Sequence, residues 1–162
     1  MKNIRLVLTS ISCLLFSSNM PSIDPKTYAI RTMVAAATGV GCEVIFTALY
    51  DYAKTKDAHL KGYSYIWMLF VYAAIYPLYR LVHPNISHLN SAYRYMLYMC
   101  IIYGCEYASG TVLRKFIGSA PWEQYYHGNK WAVDDLIRLD YAPAWIVAAL
   151  IFEKTCLTLE GK

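Results

Sequence analysis

Four long apolar stretches, separated by short polar connections, dominate the pattern of hydrophobic and polar positions along this chain. They cover residues 28–50, 63–82, 93–113 and about 141–155. A helix needs about 20 mostly apolar residues to cross a hydrocarbon layer about 30 Å thick, and these stretches approach or reach that length. The pattern therefore predicts an all-α fold: a polytopic membrane helix bundle of about four transmembrane helices.

Proline and capping residues predict where these helices bend and begin. Pro77 lies inside the second stretch, where it is expected to bend or end the helix. Asp140 is a suitable N-cap for the last helix, and Pro143 would fall in its first turn, where a missing N–H does no harm. Residues 83–88 contain Pro84 and are expected to form a turn.

An aromatic and polar segment before the last stretch predicts a part of the chain that lies along the membrane surface. Trp122 and Trp131 belong to it, and rings of this kind settle at the level of the lipid headgroups. The apolar residues among 132–137 indicate a short interfacial helix. We therefore expect residues 122–139 to lie on the membrane, with Asp140 and Trp145 also at the interface.

The N-terminal region differs from the rest of the chain. Residues 4–18 form a short apolar run that follows Lys2 and precedes a polar turn at residues 19–22. A basic start, a short apolar run and a polar end are typical of targeting segments, but also of a short retained anchor. The predicted organisation is an N-terminal anchor or targeting-like segment over residues 1–24 and a transmembrane bundle domain over residues 25–162.

Composition supports a membrane protein and argues against several other classes. Of the 162 residues, 57% are hydrophobic and only 16% are charged, whereas about 25% are charged in a typical soluble domain. The net charge of +4 comes from 15 basic and 11 acidic residues that form no run of one sign, so we expect no nucleic-acid partner. The five cysteines include no CxxC pair and no cluster with histidine, which predicts no disulfide framework, no metal and no cofactor.

Three glutamates inside the apolar stretches are the strongest candidates for functional residues. They are Glu43, Glu106 and Glu153. A charged side chain at the centre of a membrane helix costs about 2.5–3.5 kcal/mol on insertion scales, so each should face the protein interior, a partner or a water-filled path. Glu153 lies close to the end of its stretch and is expected to be in contact with water.

Small residues share helix faces with two of these acids. Gly39 precedes Glu43 by four residues, and Gly110 follows Glu106 by four, so both glycines are expected to let another helix pack closely. We predict that Glu43 and Glu106 approach each other, or a shared partner such as Arg114 or Tyr72, and that Arg114 forms an ion pair with an acid of another helix. The four histidines, His59, His83, His88 and His127, fall in connections, which argues against a di-metal bundle.

Several blocks together resemble one family of membrane proteins. They are residues 42–48 (CEVIFTA), Gly62 with Trp67 and Tyr72, Glu106 with Gly110 and Arg114, and residues 136–145 (LIRLDYAPAW). On these blocks the chain is similar to the transmembrane protein 229 family and its bacterial relatives of the CmpB type, described as ABC-transporter permeases. Asp135 stands where that family usually has glycine. The resemblance implies a four-helix membrane fold and a permease-like role.

Three functions fit these observations. The first is a membrane-embedded accessory or structural subunit, whose partners are membrane lipids and other membrane-protein subunits or further copies of itself. The second is a permease-like translocation subunit in which Glu43 and Glu106 line a path for an ion or small substrate. The third, which we rank last, is an intramembrane enzyme that uses the same two acids. An endomembrane and the mitochondrial inner membrane both fit the sequence.

Overall fold

The computed structural model describes residues 22–162 and shows a mostly helical protein. Residues 1–21, which carry most of the predicted anchor or targeting-like segment, lie outside the described residues. The helices and strands, in chain order, are α1 (Pro25–Thr55), α2 (Ile66–Tyr72), α3 (Ile75–Ile86), α4 (Ser91–Ile117), α5 (Glu123–Tyr126), β1 (Ala132–Val133), β2 (Ile137–Arg138), a 3-10 turn (Leu139–Tyr141) and α6 (Ala142–Glu160).

Four helical segments of the described chain are long and apolar enough to cross a membrane. They are Pro25–Thr55, Ile66–Ile86, Ser91–Ile117 and Leu139–Glu160, and they confirm the predicted fold class. Their outer faces expose large apolar side chains such as Met33, Phe70 and Phe116. A soluble protein would bury such surface, whereas lipid chains accommodate it. The protein is therefore an integral, multi-pass membrane protein by its fold.

Local sequence explains where the helices begin and end. The Asp24 carboxylate accepts a hydrogen bond from the Thr27 backbone N–H at 2.9 Å, which caps α1 in front of Pro25. Asn90 caps α4 in the same way. At its other end α4 stops at Gly118, whose φ of 88° is the left-handed conformation that glycine adopts without strain.

The second span consists of two helices, α2 and α3, interrupted at Ala73 and Ala74. Pro77 has no N–H to donate to the carbonyl of Ala73, four residues earlier, which favours an interruption of the helix at this point. The predicted bend near Pro77 is confirmed. The turn predicted for residues 83–88 is wrong for its first half, because α3 continues through Pro84 to Ile86.

The segment before the last helix does not form the predicted interfacial helix. Residues 132–138 form a two-stranded antiparallel hairpin in which Val133 pairs with Ile137. Asp134 and Asp135 make its turn with φ of 52° and 56°, and positive φ at both central residues is what a tight hairpin turn requires. The apolar positions that indicated a helix alternate here across a short hairpin instead.

Helix α1 packs against α2, α3 and α6, and α4 packs mainly against α6. Contacts between α2 and α4 are sparse. Two apolar clusters fill the interior, one around Tyr72, Trp122 and Phe152 and the other around Tyr76 and Cys156. The bundle is thus closed on the α1 and α6 sides and loosely packed between the second span and α4.

Candidate functional site

Glu43 and Glu106 lie on different helices and act on one shared residue, Tyr72. The Ser64 hydroxyl donates a hydrogen bond of 2.8 Å to Glu43 Oε2, so α1 is tied to the connection before α2. The Tyr72 side chain also interacts with the Glu43 carboxyl, and both Glu43 and Glu106 influence its hydroxyl electrostatically. Tyr72, and not Arg114, is therefore the residue with which both Glu43 and Glu106 interact.

Glu106 is the more enclosed of these two acids, with 8% of its surface exposed. The Tyr126 hydroxyl donates a hydrogen bond of 2.8 Å to its Oε1, while Oε2 makes no hydrogen bond to the described residues. Tyr126 lies outside the spans, in α5, and its burial raises the pKa of its hydroxyl, with a further contribution from the Glu106 charge. Tyr126 therefore remains a protonated donor. We call Glu43, Tyr72, Glu106 and Tyr126 the acid–tyrosine cluster.

Gly39 and Gly110 both lie where the main chain of one element meets a side chain of another. A Cβ at Gly39 would lie 2.5 Å from Cγ of Tyr72. A Cβ at Gly110 would lie 2.6 Å from Cδ2 of Leu136 and 3.1 Å from the Trp122 ring. Both glycines are therefore packed against parts of this same chain, which positions the acid–tyrosine cluster beside them.

Glu153 forms a second buried centre. The expectation that water would reach it is wrong, because only 2% of its surface is exposed. Arg94 on α4 donates from Nε to Oε1 at 2.5 Å and from Nη2 to Oε2 at 3.2 Å. His83 Nδ1 lies 3.3 Å from Oε1 and 2.8 Å from the Tyr98 hydroxyl. We call Glu153, Arg94, His83 and Tyr98 the Arg94 cluster.

Three members of the Arg94 cluster, Arg94, His83 and Tyr98, were not among the predicted site residues. The proline that follows His83 predicts a connection there, but His83 lies in α3 and reaches a glutamate of α6. Arg94 follows the predicted start of the third stretch by one residue, a position typical of a residue at the membrane edge. A basic residue inside an apolar stretch normally pairs with a buried acid, so the position of Arg94 in the sequence already indicated that it has an acidic partner.

Arg114 organises the connection at the end of α4. It pairs with Glu123 of α5 at 2.8 Å, as an ion pair with an acid of another helix, and also donates to the carbonyl of Asp134. Glu123 lies outside the spans, and its pKa is lowered, mainly by the hydrogen bond from Arg114. In the same connection the exposed His127 forms a hydrogen bond with the Asp135 carboxylate, and this hydrogen bond raises the pKa of His127.

The connection before the last span packs partly against the bundle. Trp122 is 8% exposed, and its Nε1 donates a 2.9 Å hydrogen bond to the carbonyl of Leu136, which is itself 1% exposed. The expectation that Trp122 lies among lipid headgroups is therefore wrong. Trp131, in contrast, is 49% exposed and carries the Lys130 ammonium 5.5 Å from its ring centre.

Asp140 and Trp145 also differ from their predicted surroundings. Asp140 is not the N-cap of α6, which begins after Tyr141 without a side-chain cap. It instead binds the Arg138 guanidinium, which donates to it from two nitrogens and to the Tyr141 hydroxyl at 2.7 Å. The Trp145 indole N–H is buried and makes no hydrogen bond within the described residues.

These clusters contain acids, tyrosines and arginines, but within residues 22–162 no three His, Cys, Asp or Glu side chains are grouped to hold a metal ion. Neither protein-family models nor solved structures match this chain. The resemblance to the transmembrane protein 229 family therefore stays a prediction.

Proposed function

We propose that this protein is a membrane-embedded accessory subunit that stabilises a larger membrane assembly and does not catalyse a reaction. The observation that carries this proposal is the use of every intramembrane glutamate as an internal cross-link. Glu43 joins α1 to the connection before α2, Glu106 joins α4 to α5, and Glu153 joins α6 to α4 and α3. Buried acids that hydrogen-bond across helices are a known means of fixing helix packing in lipid.

A face of α4 provides a surface for a partner helix. Cys100, Gly104 and Ala108 follow one another at four-residue steps and are all exposed. A Cβ at Gly104 would meet nothing within 4 Å, so the glycine is not needed for packing within this chain. Small residues at this spacing allow two membrane helices to approach closely. This face supports the docking of another subunit or of a second copy.

The test compares the assembly size of variants after extraction of native membranes in mild detergent. Gly104→Leu is expected to release the chain from a large complex into a small species while its thermal unfolding stays unchanged, because the added side chain meets no part of the chain. Gly41→Leu is the matched control, since this glycine of α1 is also exposed with open space around it. A wild-type chain that migrates as a monomer would contradict the proposal.

A permease-like translocation subunit is the second candidate, and the position of Tyr72 favours it. Tyr72 lines two cavities, of which Glu43 lines one and Glu106 the other. A path for an ion from one acid to the other through these cavities would run beside this side chain. Apolar side chains make up most of both linings, which supports the subunit function over a hydrated path.

Glutamine variants distinguish the two candidates. Glu43→Gln and Glu106→Gln keep the shape and most hydrogen bonds of the acids but cannot ionise. Under the subunit proposal both variants keep normal abundance and complex size. A loss of ion or substrate flux with an intact complex would instead establish the translocation function.

A further inference from the structure

A cavity of about 110 Å³ lies between the second span and helices α4 and α6. Its wall is mostly apolar, with Val71, Ile75, Ile102 and Phe152 among the lining side chains. A cavity of about 150 Å³ with such a wall binds benzene in a soluble protein. The space here is therefore of the right order for part of a lipid molecule and too small for a whole one.

Three of the residues that line this cavity carry a buried polar atom that makes no hydrogen bond within the described residues. These atoms are Glu106 Oε2, the Trp145 indole nitrogen and the Tyr79 hydroxyl. Glu106 is 8% and Tyr79 5% exposed. Most buried polar groups in proteins are hydrogen-bonded, so a group of unpartnered ones around one cavity indicates a ligand that supplies the partners.

The cavity is partly open, and the packing of the helices shows where. Contacts between α2 and α4 are sparse, and contacts between α3 and α4 are sparser still. The opening therefore runs along the side of the bundle, between two spans, where the surroundings are hydrocarbon. Glu106 and Tyr98, which both line the cavity, are eight residues apart on α4, which corresponds to about 12 Å along the helix axis. An elongated apolar molecule fits this shape.

The unpartnered polar atoms indicate which polar headgroup a bound lipid would carry. Indole N–H and phenol O–H groups donate hydrogen bonds, and a carboxyl oxygen accepts one, so a ligand that pairs with Trp145 and Glu106 needs both acceptor and donor atoms. An anionic headgroup is disfavoured, because Glu106 lines the cavity and Glu43 acts on the same Tyr72 hydroxyl from the other side. A hydroxyl group has the required donor and acceptor character without charge.

We propose that this cavity binds a neutral, hydroxyl-bearing lipid with a single long chain, of the monoacylglycerol class. The hydroxyl groups bind Glu106 and Trp145, and the chain leaves between α3 and α4 into the bilayer. This site goes beyond the subunit function, since a subunit needs no specific ligand to hold an assembly together.

The test uses the full chain in detergent micelles and a monoacylglycerol that carries a photoactivatable diazirine in its chain. Light is expected to attach the probe to residues of the cavity wall, and excess 1-monooleoylglycerol should prevent this labelling. Oleate and methyl oleate have the same chain but an anionic or donor-free headgroup, and each should compete roughly tenfold less well because buried polar atoms then stay unpaired. Equal competition by methyl oleate, or labelling spread over the outer faces of the helices, would overturn the proposal.

Three variants test which residues hold the lipid. Trp145→Phe removes one donor and is expected to weaken competition by 1-monooleoylglycerol about fivefold, the effect of one lost hydrogen bond. Trp67→Phe is the matched control, since Trp67 is 41% exposed and does not line the cavity. Ala149→Leu, which fills the cavity, should abolish labelling of the cavity wall. Thermal unfolding of this variant checks that it still folds. Unchanged binding in Trp145→Phe, or equal loss in both tryptophan variants, would show that only water or unspecific lipid occupies the cavity.

Discussion

Removal of Arg94 is expected to be among the most damaging single substitutions in this chain. Glu153 is 2% exposed and receives two hydrogen bonds from the Arg94 guanidinium. Arg94→Met would leave this carboxylate buried without its guanidinium partner, although His83 would still lie 3.3 Å from it. Breaking a buried ion pair by removing one partner costs about 3–5 kcal/mol, because the remaining charge is neither solvated nor paired.

Replacement of both partners should cost less than replacement of one. In Arg94→Met with Glu153→Leu no charge remains to be buried, and a well-packed apolar pair is often as stable as the ion pair it replaces. We therefore expect the double variant to be more stable than Arg94→Met alone. Such non-additivity is the signature of a direct interaction between the two side chains.

The free energy of unfolding can be measured by titrating the purified chain in mild detergent micelles with a denaturing detergent and following tryptophan fluorescence. Lys115→Met is the matched control, because it removes an exposed cation from the same helix, and such changes usually alter stability by less than about 0.5 kcal/mol. An Arg94→Met variant as stable as this control would refute the reasoning, and so would strictly additive costs in the double variant.

Two further predictions concern packing and pH. Gly39→Ala should lower the free energy of unfolding by about 1–3 kcal/mol, because its Cβ would overlap the Tyr72 ring. Gly41→Ala on the same helix has open space and should be neutral or stabilising by up to about 1 kcal/mol. Equal effects of the two variants in the same unfolding titration would contradict the close contact between Gly39 and Tyr72. The pKa of Glu123 is lowered by Arg114 from its ordinary value of 4.5, so its contribution to stability is present above that value and is lost as the pH falls through the lower, folded-state pKa. The protection factors of the hairpin amides, which compare the measured exchange rate with the intrinsic rate at the same pH, should fall in that acidic range, and Glu123→Gln should remove this decrease.

The number and approximate position of the spans could be predicted from the sequence because they depend on local properties. Apolar length decides whether a helix can cross a membrane, and Pro77 indicates an interruption of the second span. The side chains on which the acids depend could not be predicted in the same way. Arg94 and Glu153 are 59 residues apart, and nothing in either neighbourhood specifies that α4 and α6 would bring them together.

The errors in the connection before α6 have a different cause. Tryptophan next to charged residues is typical of the membrane interface, but the same residues also suit a small folded cap. Trp122 is buried because Gly110 leaves room for its ring and because the hairpin offers the Leu136 carbonyl to its N–H. The hairpin in turn depends on left-handed conformations at Asp134 and Asp135, which aspartate adopts more readily than most residues.

The even number of spans has a consequence for the two compartments that the membrane separates. Four crossings within the described chain place its two ends, Ser22 and Lys162, on one side, together with the short turn between α3 and α4. The hairpin, α5 and the connection between α1 and α2 all lie on the other side. Of the described residues, those on this second side form a small folded surface with exposed Trp131, whereas those on the first side are mostly helix ends.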